Sequence, residues 1–413
     1  MLGYAVLNTT VQNVNISVSA YKNPGNADQG FLGGRLVSAS TFTNVKIDAS
    51  AFDVYSLFGT DVNKGSYTKV EIKVKSYVVY CNGGSEVVAD DKSIVPDGIT
   101  VYTAETVILE HETILLEITA TQIELSFASE YIGDTVSLTY NGKVLGNGAL
   151  TDGKLNVDLS GITETGALTF LASTVKNNVI YTFDVNVLLA TKIIRKIDDL
   201  DVVKVTQTNV DNNTSIYGYY VLGNDINIKW TKPMTASLTY NGTVKNWETN
   251  FGFRGTFDGL GHTISGFAVN VGGMFGHVGK GAVIKNVKFD KFKYNGQYNG
   301  ALFGGTVRGA EITDVTLTNV EYTMPTKDPE GVGFFAGRFM QDNKLTNIKI
   351  DASNCDVYSV FGRNISNNAY TNVEIKVKSF TMLGYNGEVM SDETMLRKLD
   401  GVTVITADAT TGA

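Results

Sequence analysis

GFLGGRLVSASTFTNVKIDASAFDVYSLFG, running from Gly30 to Gly59, returns between Gly333 and Gly362 as GFFAGRFMQDNKLTNIKIDASNCDVYSVFG. The likeness continues through YTKVEIKVKS at Tyr67 and YTNVEIKVKS at Tyr370. Residues 30–76 and 333–379 thus share 26 identities over 47 gap-free positions, at a constant offset of 303. DGITVYTA at Asp97 and DGVTVITA at Asp400 keep that offset. Self-similarity on this scale marks a duplicated unit.

A shorter period lies inside the unit. Apolar residues recur as Ile284, Val287 and Phe289, as Ile312, Val315 and Leu317, as Leu345, Ile348 and Ile350, and as Val373, Ile375 and Val377. A polar residue accompanies each set (Asn286, Asp314, Asn347, Asn372), and an aromatic within two residues of a glycine precedes it (Phe275, Phe303, Phe335, Phe361). A spacing of about 25–33 residues is one turn of a parallel β-helix, in which short strands stack on those of the previous coil. VEIKVK turns Val70, Ile72 and Val74 one way and Glu71, Lys73 and Lys75 the other, the period of two expected when one face packs a core.

Composition agrees with a packed, β-rich chain. Of 413 residues 43% are hydrophobic and 18% charged, with 43 Gly and 5 Pro. The net charge of −8 argues against a nucleic-acid partner or an anionic membrane surface, each of which calls for a basic patch. Cys81 and Cys355, at non-equivalent positions of the duplication, exclude a disulfide framework and a cysteine zinc site. No stretch reaches the roughly 18 apolar residues of a membrane span, so no membrane insertion is expected within this chain. MLGYAVLNTT lacks the form of a signal peptide, and an export signal and anchor are expected outside it.

Between the repeats the texture changes. QIELSFA, TVSLTY, KLNVDLS, ALTFLAS and VIYTFDVNV alternate and are separated by turn signals such as Asn141-Gly142, Asp152-Gly153 and Asn177-Asn178, as in an immunoglobulin-like sandwich. TKIIRKIDDLDVVKVT, residues 191–206, has apolar positions at helical spacing and would shield the open end of a solenoid. The expected fold is all-β: right-handed, pectin-lyase-like parallel β-helix segments flanking an Ig-like β-sandwich. The expected map places the closing coils of a first β-helix at 1–85 and a linker at 86–105. The sandwich follows at 106–190, a complete second β-helix with an N-terminal cap at 191–385, and the start of another repeat at 386–413.

FRGTFDGLGHTISGF from Phe253, followed by MFGHVGKGAVIKNVKF and LFGGTVRGAEITDVTL, resembles the GLUG-type β-helix repeats of bacterial surface adhesins. Such repeats also occur in the non-catalytic N-terminal region of immunoglobulin-A peptidases. The family's lead-in phrase is similar to YYVLGNDINI from Tyr219, and the resemblance covers about 219–380 and again 5–80. It implies a secreted or cell-surface location. The peptidase's HExxH is absent from the sequence, so protease activity is not implied.

Candidate chemistry is sparse. His111, His262 and His277 have no Cys, Asp or Glu at metal-ligand spacing, so no metal and no cofactor is expected. Asp258 sits at a corner where an Asp bonds its own backbone two residues on. Asn286, Asp314, Asn347 and Asn372, with Asn13 and Asn44, suggest side chains bonded along the solenoid rather than a metal column. Asp198, Asp199 and Asp201 suggest a solvated face and not a calcium loop. Outward positions mix signs, with Lys288, Thr316, Lys349 and Glu374 in one row and Asp290, Thr318, Asp351 and Lys376 in the next. Glycoside hydrolysis needs two carboxylates roughly 5–10 Å apart, which this mixture does not place. KYNGQYNG offers Tyr294 and Tyr298 as possible glycan contacts. The expected function is therefore a non-enzymatic, monomeric stalk or adhesin segment of a longer repeat protein, binding glycans or host surface proteins. The alternatives are a polysaccharide-degrading β-helix enzyme, marked by a groove with paired carboxylates, and a trimeric phage-type fibre.

Overall fold

Parallel pairing between successive coils builds most of the sheet in this chain. The computed structural model describes residues 5–22, 30, 36–57, 61–82, 86–88, 98–103, 106–132, 135–150, 153–176, 179–229, 251–269, 272–294, 300–326, 331–384 and 399–407. It is mostly strand, with about 10 solenoid turns. Two compact units are present: Met1–Leu115 with Ala120–Leu188, and Leu116–Thr119 with Leu189–Ala413.

In the second unit one sheet stacks Lys192–Ile194, Tyr219–Leu222, Thr256–Asp258, Val283–Asp290, Glu311–Thr318, Lys344–Ser359, Ala369–Met382 and Val402–Thr406. A second sheet runs from Ser215–Ile216 to Asn364–Ser366, and a third holds Ala268–Val269, Lys293–Tyr294 and Glu321–Tyr322. Register places like on like: Val287 lies beside Val315, then Ile348, then Val373, and Phe289 beside Leu317, Ile350 and Ile375. All are buried, each such side chain contributing about 1.5–3 kcal/mol. The expected aromatics form a column in this core, Phe275 to Phe303 at 5.9 Å and Phe303 to Phe335 at 5.1 Å.

The longer strands turn a corner at their polar residue. Asn286, Asp314, Asn347 and Asn372 all have φ 54°, the left-handed region that Asn and Asp tolerate best after glycine. One coil earlier the same corner is the loop of residues 259–262, between Thr256–Asp258 and Thr263–Ser265, whose partners are residues 283–285 and 288–290. The GTFDGLGHTIS phrase is thus an expanded form of the corner that later coils make with Asn or Asp.

Two expectations change. The 191–206 segment is not one amphipathic helix but a strand, Lys192–Ile194, a 3-10 turn, Ile197–Val203, and then a short helix, Gln207–Asp211. The Asp199 carboxylate accepts the N–H groups of Arg195 and Lys196 and closes a tight turn there, while Leu200, Val203 and Val205 still enter the core. Residues 99–102, assigned to a linker, and Val402–Thr406, assigned to the next repeat, are further rungs paired with Asp61–Asn82 and Ala369–Met382. Gly98 and Gly401, at φ 85° and 80°, take the left-handed corner that Asn takes elsewhere, so the coil continues.

The first unit stacks Thr10–Ser17, Leu36–Ser56, Asp61–Asn82 and Ile99–Tyr102 in parallel. Phe42 on Tyr67, with Val45, Ile47, Val70, Ile72 and Val74, fills its core. After it, a sheet is ordered Lys143–Gly148, Val136–Tyr140, Gly166–Lys176, Val179–Ala190, Thr106–Glu117, and Gln122–Ser126 pairs antiparallel with Lys154–Asp158. Phe127 meets Phe183 at 4.8 Å, edge to face, and alternate residues of both sheets are buried.

Candidate functional site

The left-handed corner makes a groove on each solenoid. In the second unit, Asn372 Nδ2 donates to Asn347 Oδ1 at 2.9 Å, Asn347 Nδ2 to Asp314 Oδ1 at 2.9 Å, and Asn286 Nδ2 to Asp258 Oδ1 at 3.0 Å. In the first, Asn44 Nδ2 donates to Asn13 Oδ1 at 2.8 Å. The corner polar residues bond along the solenoid, and no group of three potential metal ligands exists among the described residues.

Beside this ladder in the second unit lies a groove of about 760 Å³, with Lys288, Thr316 and Lys349 on one side and Leu260 and Gly261 at one end. Asp314 is the carboxylate among its lining residues, and it is engaged by Asn347. The equivalent corner of the first unit, Asn44, Lys69 and Gly98, lines a cleft of about 720 Å³ whose other wall is the outer face of the five-stranded sheet.

Outward charges pair between coils: Lys46 with Glu71 at 3.1 Å, Lys75 with Asp53 at 2.8 Å, Lys344 with Glu311 at 2.9 Å and Lys378 with Asp356 at 2.7 Å. Lys75–Asp53 and Lys378–Asp356 are the same pair in the two copies. Asp53 is held below the usual carboxylate range by the bonds from Lys75 and Ser76, as Asp356 is by Lys378 and Ser379. In the mixed outer rows, Asp290 accepts from Thr318 at 2.9 Å and Asn319 at 2.6 Å, and the Asn319 bond does most to lower its pKa.

Asp258 takes its own backbone as expected, Leu260 N–H donating to Oδ1 at 3.0 Å, but it does more. Its buried carboxylate also receives the Tyr219 hydroxyl at 2.8 Å, Asn286 and, at 3.2 Å, Lys285. Burial opposes its charge, yet these bonds together hold its pKa below normal, while burial and the adjacent carboxylate raise that of Tyr219. The arrangement pins three coils and leaves a charged, fully engaged acid.

His262 lies 3.2 Å from Asp225 at the surface. His277 is buried against Phe251 at 4.8 Å, and its Nδ1 has no partner in the protein. Burial, aided by the charge of Arg308, lowers its pKa to about 4. Cys355 is buried with its Sγ 3.0 Å from Val320 O, and burial raises its pKa. Tyr294 is 1% exposed and stacks on Tyr322 at 5.3 Å, its pKa driven up by burial. Its ring serves the core and presents no face to a sugar: the strand Lys293–Tyr294 turns it inward. Tyr298 lies outside the described residues, as do the side chains of Cys81 and His111.

A second asparagine network went unrecognised in the sequence. Asn343, 2% exposed, accepts from Ala310 N–H and donates to Val307 O and Asn368 Oδ1, and Asn368 in turn donates to Met340 O. It satisfies backbone groups at the corner between two sheets, and its signal was the paired asparagines at 367–368. The cleft of the first unit was also missed, because its walls are far apart in sequence. Compared with known families, curated proteins and solved structures, the chain shows no match.

Proposed function

We propose that this chain is a non-enzymatic segment of a secreted or cell-surface bacterial repeat protein, a stalk and adhesin that binds glycans or host surface proteins. In this reading the coils are right-handed GLUG-type β-helices and residues 106–190 an Ig-like sandwich between them. The observation that carries it is that the duplicated corner, with Asn44 and Lys46 in the first copy and Asn347 and Lys349 in the second, lines a polar groove in both. A repeated surface favours weak contacts summed over several sites. At these grooves Glu71 is paired with Lys46 and Asp314 is bonded by Asn347, which supports binding over cleavage.

The test is to expose the chain to arrays of glycans and of extracellular host proteins, then recover bound glycans for mass spectrometry. Binding with glycans recovered intact is expected. Shortened or unsaturated products would replace this reading with that of a polysaccharide-degrading enzyme. Absence of binding to either array would leave a spacer.

A further inference from the structure

We propose that the cleft of the first unit is a saccharide-binding site, sized for a neutral mono- or disaccharide. The inference rests on the glycan-binding reading above and gives it a location. Its volume of about 720 Å³ lies within the roughly 300–1,000 Å³ of small-ligand pockets. The chemistry of its walls selects the ligand class.

The sandwich wall is rich in hydroxyls and amides. Along Val179–Ala190, Phe183, Val185 and Val187 enter the sandwich core, while Thr182, Asp184 and Asn186 face the cleft, joined by Thr139, Thr169 and Ser173 of neighbouring strands. The Thr182 hydroxyl is buried and has no hydrogen-bond partner in the protein. Buried hydroxyls are seldom left so, and a ligand hydroxyl in the cleft would complete this one.

The two walls together carry charges of both signs. Lys46 pairs with Glu71 at 3.1 Å on the solenoid wall, where Lys69 also lies, and Asp184 lies on the other wall. A cleft of mixed sign suits a neutral polyol better than an anion or a cation, since either ion would also meet a like charge. Tyr77 and Tyr102 add aromatic surface beside these polar groups.

The duplication supplies an internal comparison. Asn44, Lys46 and Glu71 recur as Asn347, Lys349 and Glu374. Lys69, Tyr77 and Tyr102 become Asn372, Phe380 and Ile405, so both tyrosine hydroxyls and one charge are lost from the second copy. The site therefore belongs to the first copy.

The experiment uses the full chain on an array of neutral mono- and disaccharides, followed by calorimetric titration with the strongest binder. Thr182→Val keeps the shape and removes the hydroxyl, and should weaken binding at least tenfold. Ser173→Trp should fill the cleft and abolish binding, while Thr316→Trp in the second unit's groove should leave it unchanged. Thermal melts establish that each variant is folded; if Ser173→Trp is not, Thr182→Val decides. Binding undiminished in the folded cleft variants would overturn this location and leave glycan binding standing. No saccharide bound by the unaltered chain, with host proteins still bound, would overturn the saccharide site together with the glycan half of the functional reading.

Discussion

At the scale of the residue, two buried titratable groups both favour higher pH, each in its own window. His277 is neutral in the fold, with its pKa lowered from 6.5 to about 4. Between those values the unfolded chain binds a proton that the folded one refuses. Stability therefore falls as pH drops through this window and is full above it, a loss of about 3 kcal/mol if the whole shift is expressed. Denaturant midpoints of the second unit measured from pH 7 to pH 4 should show this decline, and His277→Phe should flatten it. An equal decline in the variant would assign the effect elsewhere. Asp258 acts below that window, because a carboxylate with a lowered pKa holds its stability above the unfolded value and loses it as pH falls through the folded one. Asp258→Ala strands the Asn286 amide, the Leu260 N–H and the Lys285 charge together, and should cost about 3 kcal/mol at pH 7 by chemical denaturation. A cost below about 1 kcal/mol would mean that water replaces the whole net.

At the scale of the element, the corner is what makes a coil from a strand. Asn347 combines a left-handed backbone, φ 54°, with ladder bonds to both neighbouring coils. Replacing it with alanine removes the bonds and strains the backbone, while glycine removes the bonds alone. Asn347→Ala should destabilise by about 2 kcal/mol and Asn347→Gly by about 1 kcal/mol, read from urea unfolding. Equal losses would place all of the stabilisation in the side-chain ladder. This element was legible because its signals are local: the alternation of VEIKVK and a polar residue returning at each coil need no knowledge of distant partners. The 3-10 turn at Ile197–Val203 was not, since helical apolar spacing fits both a 3-10 turn and an α-helix, and the Asp199 bonds that decide between them are invisible in the pattern. The rung at Ile99–Tyr102 was misassigned for a similar reason: its corner residue is glycine, which also marks linkers. Tyr294 shows the limit for sites, because a glycine-rich neighbourhood suggests exposure while the pairing that turns the ring inward lies 28 residues away, at Tyr322.

At the scale of the whole molecule, the duplication offers two copies of one core residue in different units. Ile47 and Ile350 stand at the 303-residue offset, each 2% exposed and each in a separate core cluster. Ile47 packs in a cluster whose buried members run from Val6 to Ile99, and Ile350 in the larger one that runs from Ile194 to Leu383. Nearest-neighbour packing carries stability along a solenoid, so a cavity should be felt mainly within the cluster that contains it. Truncating a buried isoleucine to alanine costs about 2–5 kcal/mol. Differential scanning calorimetry of the full chain should show two transitions, with Ile47→Ala lowering one and Ile350→Ala the other. A single transition lowered alike by both would make the two units one cooperative body and would remove the basis for treating each repeat as a self-standing module. Two independent responses would instead mean that each of the two copies carries its own stability, as the proposed stalk reading requires.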